Sequence, residues 1–177
     1  MTCIFFDIET YSTGEFPEYN EKVIAIAYKT EYTEVSVLKE WEIGEKEVLR
    51  RFIDEVKENP RINLIGHNSL RFDIPVIVNR AVEHDLDSLC DLMGVLLDGY
   101  TIDILQGLLP TNRFRFKGLG LNDCARKIGF ETKTCLGSEI RARYEERDHD
   151  AITEHVIEDV LKTERIYKHL EKWSKLS

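Results

Sequence analysis

The sequence predicts an α/β fold in which a central mixed β-sheet is flanked by helices. Three observations lead to this prediction: β-branched apolar runs near the N-terminus, a helical repeat of apolar residues after them, and another short apolar run beyond that helix. The chain has 177 residues, of which 42% are hydrophobic, so it is long enough for one domain with a substantial core. We therefore expect residues 1–177 to form a single domain.

Three strands are predicted first, at residues 2–9, 22–28 and 34–41. Short segments rich in turn residues separate them, which is typical of antiparallel neighbours. Apolar residues then follow the spacing of an amphipathic helix over residues 44–58, and Asn59-Pro60 ends that helix. Residues 62–65 form a short apolar run, which predicts a buried strand reached by a crossover from the helix.

The remainder of the chain is predicted to be mostly helical. One helix begins near Asp73, a candidate N-cap residue, has Pro75 in its first turn and extends to about residue 84. Further helices are predicted at residues 121–128 and, as a long final element, from about residue 148 to residue 173.

Composition excludes several classes of protein. No apolar run approaches the ~18 residues that cross a bilayer, and the N-terminus lacks the basic region and cleavage site of a secretory signal. The cysteines show no CxxC pair in a chain that is long enough to fold without disulfides. We therefore expect a cytoplasmic protein, without a membrane partner, whose four cysteines are reduced: Cys3, Cys90, Cys124 and Cys135.

The charge is unevenly distributed along the chain. The net charge of −9 is unfavourable for binding a polyanion. Residues 111–147, however, contain nine basic and five acidic residues. A protein that binds nucleic acid on one face and metal ions through carboxylates on another has such a division, although an ordinary mixed surface has it too.

Two acids interrupt the first predicted strand, where residues 5–10 read FFDIET. Because strand side chains alternate between faces, Asp7 and Glu9 are predicted to lie on the same face. Neighbouring carboxylates on a half-buried surface repel each other, and a divalent cation is the simplest reason to place them there. The alternative is that both acids lie at a fraying strand end and face water.

Two further polar clusters lie far along the chain. Residues 66–75 read GHNSLRFDIP between a predicted strand and a predicted helix, where open α/β sheets place functional loops. In that segment Asp73 is alternatively a helix cap and Asn68 a turn residue. On the final helix His155 and Asp159 are four residues apart and share one face, either as a surface pair or as a base beside a metal ligand.

Together the segments FDIET (residues 6–10), GHNSLRFDIP (66–75) and HVIED (155–159) resemble the three motifs of the DEDD 3′–5′ exonucleases, which have the RNase H-like fold. The chain is most similar to the proofreading exonuclease domain of family B DNA polymerases. Residues 100–104 and 116–122, which read YTIDI and FKGLGLN, are similar to the segment between that family's second and third motifs. The resemblance covers nearly the whole chain and leaves no room for polymerase palm or fingers, so we expect the domain to act alone or on a partner.

The resemblance implies a two-metal site. Asp7, Glu9, Asp73 and Asp159 correspond to the four acids that hold two Mg²⁺ or Mn²⁺ ions, and hard dications prefer such oxygen ligands. Two ions about 3.5–4 Å apart generate the attacking hydroxide and stabilise the leaving 3′-oxygen of a phosphoryl displacement. Four acids and two dications balance in charge, so a loaded site no longer repels a phosphodiester.

The third motif departs from the family pattern. The polymerase-like subfamily has Tyr four residues before the last acid, and the other large subfamily has His five residues before it, whereas here His155 lies four residues before Asp159. Imidazole is a competent general base, so we expect His155 to take this role with a lower pH optimum. Residues 144–148 have the Tyr and the spacing but lack a flanking apolar stripe, and we therefore favour residues 155–159.

Substrate contacts are predicted in two places. The resemblance implies that Asn68 lies near the substrate. In residues 113–117 two phenylalanines alternate with cations, a pattern that suits stacking on unpaired bases and binding of phosphates. The alternative is that both phenylalanines pack inward. The candidate substrate-binding residues of this segment are Arg113, Phe114, Arg115, Phe116 and Lys117.

The sequence therefore predicts a metal-dependent 3′–5′ exonuclease that releases nucleoside 5′-monophosphates from single-stranded DNA. An exoribonuclease with the same residues is one alternative, since nothing in the sequence reads the 2′-hydroxyl. A nucleic-acid-binding subunit that has lost the chemistry is another, although all four acids are present. A homo-oligomer or a replication or repair protein is a possible partner.

Overall fold

The computed structural model describes residues 3–12, 20–59, 62–97, 100–130 and 139–174. Its strands form one five-stranded sheet with the order β3-β2-β1-β4-β5. The first three strands pair antiparallel, whereas β4 is parallel to both β1 and β5, so the sheet is mixed as predicted. The strands are β1 (Cys3–Tyr11), β2 (Lys22–Thr30), β3 (Ser36–Lys39), β4 (Asn63–Gly66) and β5 (Tyr100–Asp103).

Helices cover both faces of this sheet, which confirms the α/β prediction. Within the described residues no helix is both long and apolar enough to cross a membrane. The helices are α1 (Glu40–Ile43), α2 (Glu45–Glu58), α3 (Asp73–Glu83), α4 (Leu89–Leu97), α5 (Ile104–Leu108), α6 (Leu121–Lys127), α7 (Ile140–Glu145) and α8 (His149–Ser174), with a 3₁₀ turn at Pro110–Asn112.

Two parts of the secondary-structure prediction are wrong. The third strand ends at Lys39 instead of residue 41, because Glu40–Ile43 forms a helical turn before α2. The strand β5 lies in a region predicted to be mostly helical. A parallel strand of four residues with a helix directly after it is too short to show an alternating pattern, so periodicity does not reveal it.

The two faces of β1 belong to two hydrophobic cores. Ile4, Phe6 and Ile8 pack on one side with residues of α2 and α3, among them Phe52. Cys3 and Phe5 face the other side, beneath α8. There the ring of Phe5 contacts Tyr167 edge-on, with ring centroids 5.7 Å apart. Because both faces of β1 are covered, its residues are buried or half-buried along the whole strand.

The cysteines that the structure describes are free thiols, as predicted. Cys3 and Cys124 are buried and Cys90 is exposed. Burial raises the pKa of the Cys3 and Cys124 thiols, which makes them less reactive. Cys135 lies outside the described residues.

Candidate active site

The strand β1 places two acids beneath α8. Asp7 and Glu9 follow Phe5 at intervals of two residues and so share its face of the sheet. Their neighbours on β2 are Ala27 and Ala25, which are fully buried and leave space above the sheet. Glu9 is only 8% exposed, and β1 remains paired as far as Tyr11. The interpretation of the two acids as a fraying strand end facing water is therefore wrong.

The third acid, Asp73, is the first residue of α3. Phe72 occupies the N-cap position and makes no side-chain capping bond, so the interpretation of Asp73 as the helix cap is wrong. The carboxylate instead accepts a hydrogen bond from the backbone N–H of Ile8, between the two acids of β1. This contact joins the start of α3 to the centre of the sheet and brings Asp73, which is 6% exposed, to the acids of β1.

A further buried acid, Asp103, organises the loop before α3. Its Oδ1 accepts from the N–H of Asn68 at 2.9 Å, and its Oδ2 accepts from the N–H of Leu70 at 3.0 Å. It also caps α5 by accepting from the N–H of Gln106 at 3.1 Å. Sequence reasoning did not assign this role; the available signal was an acid directly after a short apolar run and before a helix.

Asn68 occupies a turn position and has a side-chain oxygen that is not hydrogen-bonded to any part of the chain that the structure describes. Its φ of 67° places it in the left-handed region that asparagine tolerates, so it does take a turn role. Its Oδ1 is buried and has no hydrogen-bond partner among the described residues. A buried polar atom without a partner is costly, and a bound group that donates to it or coordinates it would remove that cost.

The helix α8 contributes His155 and Asp159 on the face that covers β1. His155 Nε2 lies 3.5 Å from Glu9 Oε1 and 3.7 Å from Asp159 Oδ2. The imidazole is 4% exposed and the Asp159 side chain 16%, so the interpretation of this pair as a surface pair is wrong. One oxygen each of Glu9 and Asp159 and one ring nitrogen of His155 lie within 4.8 Å of one another, close enough to share a ligand.

The electrostatics of this cluster are unfavourable for free carboxylates. Burial raises the pKa of Asp7 well above its ordinary value, and Asp73, Asp159 and Glu9 raise it further. Burial likewise raises the pKa of Glu9, with contributions from Asp159 and Asp73. Burial also raises the pKa of Asp73, to about 7, against the effect of its backbone hydrogen bonds. A bound divalent cation would reverse these shifts because it favours the ionised carboxylates.

Glu45 is a buried acid whose role is structural, and it serves as a comparison for the acids near α8. Glu45 accepts from Arg80 Nε at 2.7 Å and from the N–H of Val23 at 2.8 Å, and it lies 2.9 Å from His84 Nε2. Burial raises the pKa of Glu45, but these partners lower it more, so the net shift is downward. The acids near α8 are therefore distinguished by their raised pKa and not by burial alone.

A buried lysine in the same cluster was missed by sequence reasoning. Lys162 lies one turn after Asp159 on α8 and its side chain is 1% exposed. Its Nζ lies 2.7 Å from Asp159 Oδ1 and 2.9 Å from Glu158 Oε1. No sequence pattern marked Lys162, because an i, i+3 acid–lysine pair on a helix usually lies on the surface.

The candidate substrate segment, residues 113–117, is exposed throughout. Phe114 is 73% exposed and Phe116 is 48% exposed, so the interpretation that both pack inward is wrong. The guanidinium carbon of Arg71 lies 5.2 Å from the centre of the Phe116 ring. Both residues line an open groove of about 750 Å³, whose lining residues are Leu70, Arg71, Pro75, Gln106 and Phe116.

His67 connects the loop before α3 to the chain that follows the candidate substrate segment. Its Nε2 lies 2.8 Å from the carbonyl oxygen of Leu119, to which it donates. Burial lowers the pKa of His67 and so favours the neutral ring.

Arg71 and Pro75, which line the groove, are each two residues from Asp73, so the groove lies beside the acidic cluster.

The segment of residues 144–148 has a structural role. The Tyr144 hydroxyl donates to Glu40 Oε2 at 2.6 Å, and its ring contacts that of Tyr11 at 5.1 Å. Asp148 forms an ion pair with Arg143 at 2.7 Å and accepts from the N–H of Ala151 at the start of α8. These contacts hold α7 against the sheet and the start of α8.

Comparisons with known proteins agree with the architecture. Residues 4–171 match the sequence model of the RNase H superfamily. The chain is 34% identical over 82 residues to DNA polymerase 2 of Aeropyrum pernix, an alignment that covers 46% of this chain and 10% of that protein. The structure of the family B DNA polymerase of Pyrobaculum calidifontis superposes with a TM-score of 0.74 at 22% identity, over 96% of this chain and 24% of that one. The chain thus spans a minor part of the length of both polymerases, and the expected RNase H-like fold is confirmed.

Proposed function

Since this chain belongs to the RNase H superfamily, we propose that it is a metal-dependent 3′–5′ exonuclease that hydrolyses single-stranded DNA to nucleoside 5′-monophosphates. Residues 1–177 act in this proposal as one exonuclease-like domain. The observation that carries it is the convergence of four acids, Asp7, Glu9, Asp73 and Asp159, in a cluster where the pKa values of the first three are raised and where His155 joins Glu9 and Asp159. Clustered carboxylates that are removed from water do not stabilise a fold, so their presence supports a functional role.

The donor set fits hard divalent cations. Four carboxylates from three separate elements supply oxygen ligands, and the buried Asn68 Oδ1 adds an oxygen that has no partner in the described part of the chain. In the proposal Asp7, Glu9, Asp73 and Asp159 hold two Mg²⁺ or Mn²⁺ ions. When bound, these cations lower the pKa of water and neutralise charge on the scissile phosphate.

His155 is the proposed general base for the attacking water. Burial lowers the pKa of the imidazole, although Asp159 opposes the shift, so the ring is neutral at pH 7. A neutral imidazole has a lone pair on one of its two ring nitrogens, which is able to accept a proton from the attacking water. Glu9 Oε1 and Asp159 Oδ2, which lie 3.5 Å and 3.7 Å from Nε2, would stabilise the imidazolium that forms.

Residues 113–117 and the adjoining groove are the proposed contact with the strand. Phe114 and Phe116 offer exposed rings to unpaired bases, and the neighbouring cations Arg113, Arg115 and Lys117 offer charge to phosphates. The relatedness to parts of two DNA polymerases favours DNA over RNA as the substrate.

Digestion of end-labelled strands tests this proposal. A 5′-labelled single strand should shorten one nucleotide at a time in Mg²⁺ or Mn²⁺, whereas a 3′-labelled strand should lose its label as a mononucleotide at once. A chelator should stop both reactions, and matched RNA should be cut more slowly. Internal cuts, shortening from the 5′ end or faster cleavage of RNA would each refute a part of the proposal.

Replacing His155 with glutamine is expected to lower kcat by about 10²–10⁴-fold, the usual contribution of a general base. The acidic limb of the pH–rate profile should disappear with it. His169→Gln, at an exposed position of the same helix, is the matched control and should leave kcat unchanged. A kcat within threefold of the parent would exclude His155 as the base, and a loss of Mn²⁺ affinity in His155→Gln would make it a ligand instead.

Replacing Phe114 with alanine is expected to lower kcat/KM on single-stranded DNA by about 5- to 100-fold, because base–aromatic stacking contributes about 1–3 kcal/mol per base. The loss should appear in KM and not in kcat. Tyr32→Ala removes another aromatic ring, 86% exposed, from the turn between β2 and β3. This turn lies near the start of β1, at the opposite end of that strand from Glu9, so the substitution should change neither parameter. Equal effects of the two substitutions would remove residues 113–117 from the binding site.

A further inference from the structure

The buried ammonium group of Lys162 has no role in the mechanism proposed above, yet it lies within the acidic cluster. A lysine that is 1% exposed loses nearly all of its hydration, so only strong partners keep it charged and inside the protein. It has two such partners, Asp159 at 2.7 Å and Glu158 at 2.9 Å. One of these partners is a candidate metal ligand and the other is not.

The influence of Lys162 extends beyond its direct partners. Its charge lowers the pKa of Asp7 and of Glu9, against the burial and the neighbouring acids that raise them. It also contributes to the lowered pKa of His155. The ammonium group is therefore close enough to act on most of the cluster from one position on α8.

Asp159 divides its two oxygens between different neighbours. Oδ1 lies against the Lys162 ammonium and Oδ2 faces His155. A divalent cation that binds Asp159 would share a carboxylate with a lysine, and like charges at this distance repel strongly in a site shielded from water.

The charge balance of the cluster indicates that Glu158 acts as a counterion of Lys162. If Asp7, Glu9, Asp73 and Asp159 are all ionised, two dications neutralise them fully, and Lys162 then needs a separate counterion. Glu158, whose side chain is 12% exposed, supplies it from the same helix. Without a bound cation Lys162 pairs with both acids, at 2.7 Å from Asp159 and 2.9 Å from Glu158.

Resting on the metal site of the proposed function, we propose that Lys162 is a resident cation that competes with one divalent cation for Asp159 and has Glu158 as its alternative partner. Lys162 is in this role a positioning residue and not a catalytic one. It holds Asp159 in place before the metal binds and weakens one of the two binding steps.

Mn²⁺ titration calorimetry of the full chain tests this proposal through two variants with opposite expected signs. Lys162→Met keeps the length of the side chain and removes the charge, so the weaker Mn²⁺ step should tighten by about tenfold or more. Glu158→Gln removes the alternative partner and should weaken the same step. Lys168→Met, at an exposed position of α8 where Lys168 pairs with Glu164 at 2.6 Å, should bind Mn²⁺ like the parent.

Thermal melting separates this role from a merely structural one. Lys162→Met should melt at a lower temperature than the parent in chelator and should show the larger rise on addition of Mn²⁺. Lower stability of Lys162→Met with unchanged or weaker Mn²⁺ binding would overturn the proposal. Tighter Mn²⁺ binding by Glu158→Gln would overturn it as well, and this second test does not depend on whether Lys162→Met folds. A parent protein that binds no Mn²⁺ would instead refute the proposed metal site itself.

Discussion

Replacing Asp7 with asparagine is expected to reduce DNA cleavage by about 10³-fold or more, the largest loss that we predict for a single substitution. Asparagine keeps the shape of the side chain but removes the charge that a divalent cation needs. The strand pairing of β1 with β2 fixes Asp7 opposite Ala27. The measurement is the rate of loss of label from a 3′-labelled strand in saturating Mg²⁺.

The same substitution is expected to stabilise the protein when no metal is present. Asp7 lies among acids that raise its pKa, so removing its charge relieves repulsion at neutral pH. In chelator the melting temperature should rise, by about 2–4 °C for each kcal/mol gained in a chain of this size. Glu45→Gln is the matched control, since Glu45 is a buried acid with its own partners, and it should lower the melting temperature. Cleavage within tenfold of the parent by Asp7→Asn would remove Asp7 from the site.

The metal-free protein is expected to lose stability as the pH rises from 4 to above 7. Asp73 has a pKa of about 7 in the folded protein against an ordinary value of 3.8. A carboxyl group whose pKa is higher in the folded than in the unfolded protein releases its proton on unfolding, so the free energy of unfolding falls with rising pH. The contribution of Asp73 is fully present below pH 3.8 and is lost through about pH 7, a change on the order of 4 kcal/mol.

Asp73→Asn isolates this effect from other titrating groups. The lowered pKa of His155 acts in the opposite direction, since a buried neutral imidazole stabilises the fold only as the pH rises through 6.5. Urea unfolding in chelator at a series of pH values should show a steeper decline for the parent than for Asp73→Asn. Saturating Mg²⁺ should cancel the decline in the parent, because bound cations stabilise the ionised carboxylates. Equal slopes for the two proteins would contradict the prediction.

The sequence was sufficient to predict the parts of the site that depend on local spacing. The two-residue interval between Asp7 and Glu9 determines a shared strand face, and the four-residue interval between His155 and Asp159 determines a shared helix face. The position of Asp73 followed from a loop between a strand and a helix. The resemblance to the exonuclease motifs then linked the three segments, which periodicity alone does not do.

The parts that the sequence did not predict depend on tertiary contacts. Lys162 and Asp103 are ordinary polar residues by pattern, and only packing shows that both are buried and directed at the site. Whether Asp73 caps its helix or faces the acids depends on its contact with Ile8, a residue 65 positions earlier in the sequence. Phe114 and Phe116 have no intrinsic preference for the surface, so their exposure was also undetermined until the fold was known.

The packing of α8 on β1 has a consequence for the synthesis of the chain. Glu9 and Asp159, which face the same imidazole, are 150 residues apart in the chain. At a translation rate of about 5–20 residues per second, at least several seconds separate the synthesis of the first acid from that of the last. The nascent chain therefore carries no assembled acidic cluster while the five strands of the sheet are being made. Cleavage of nucleic acid would accordingly report on completion of the fold.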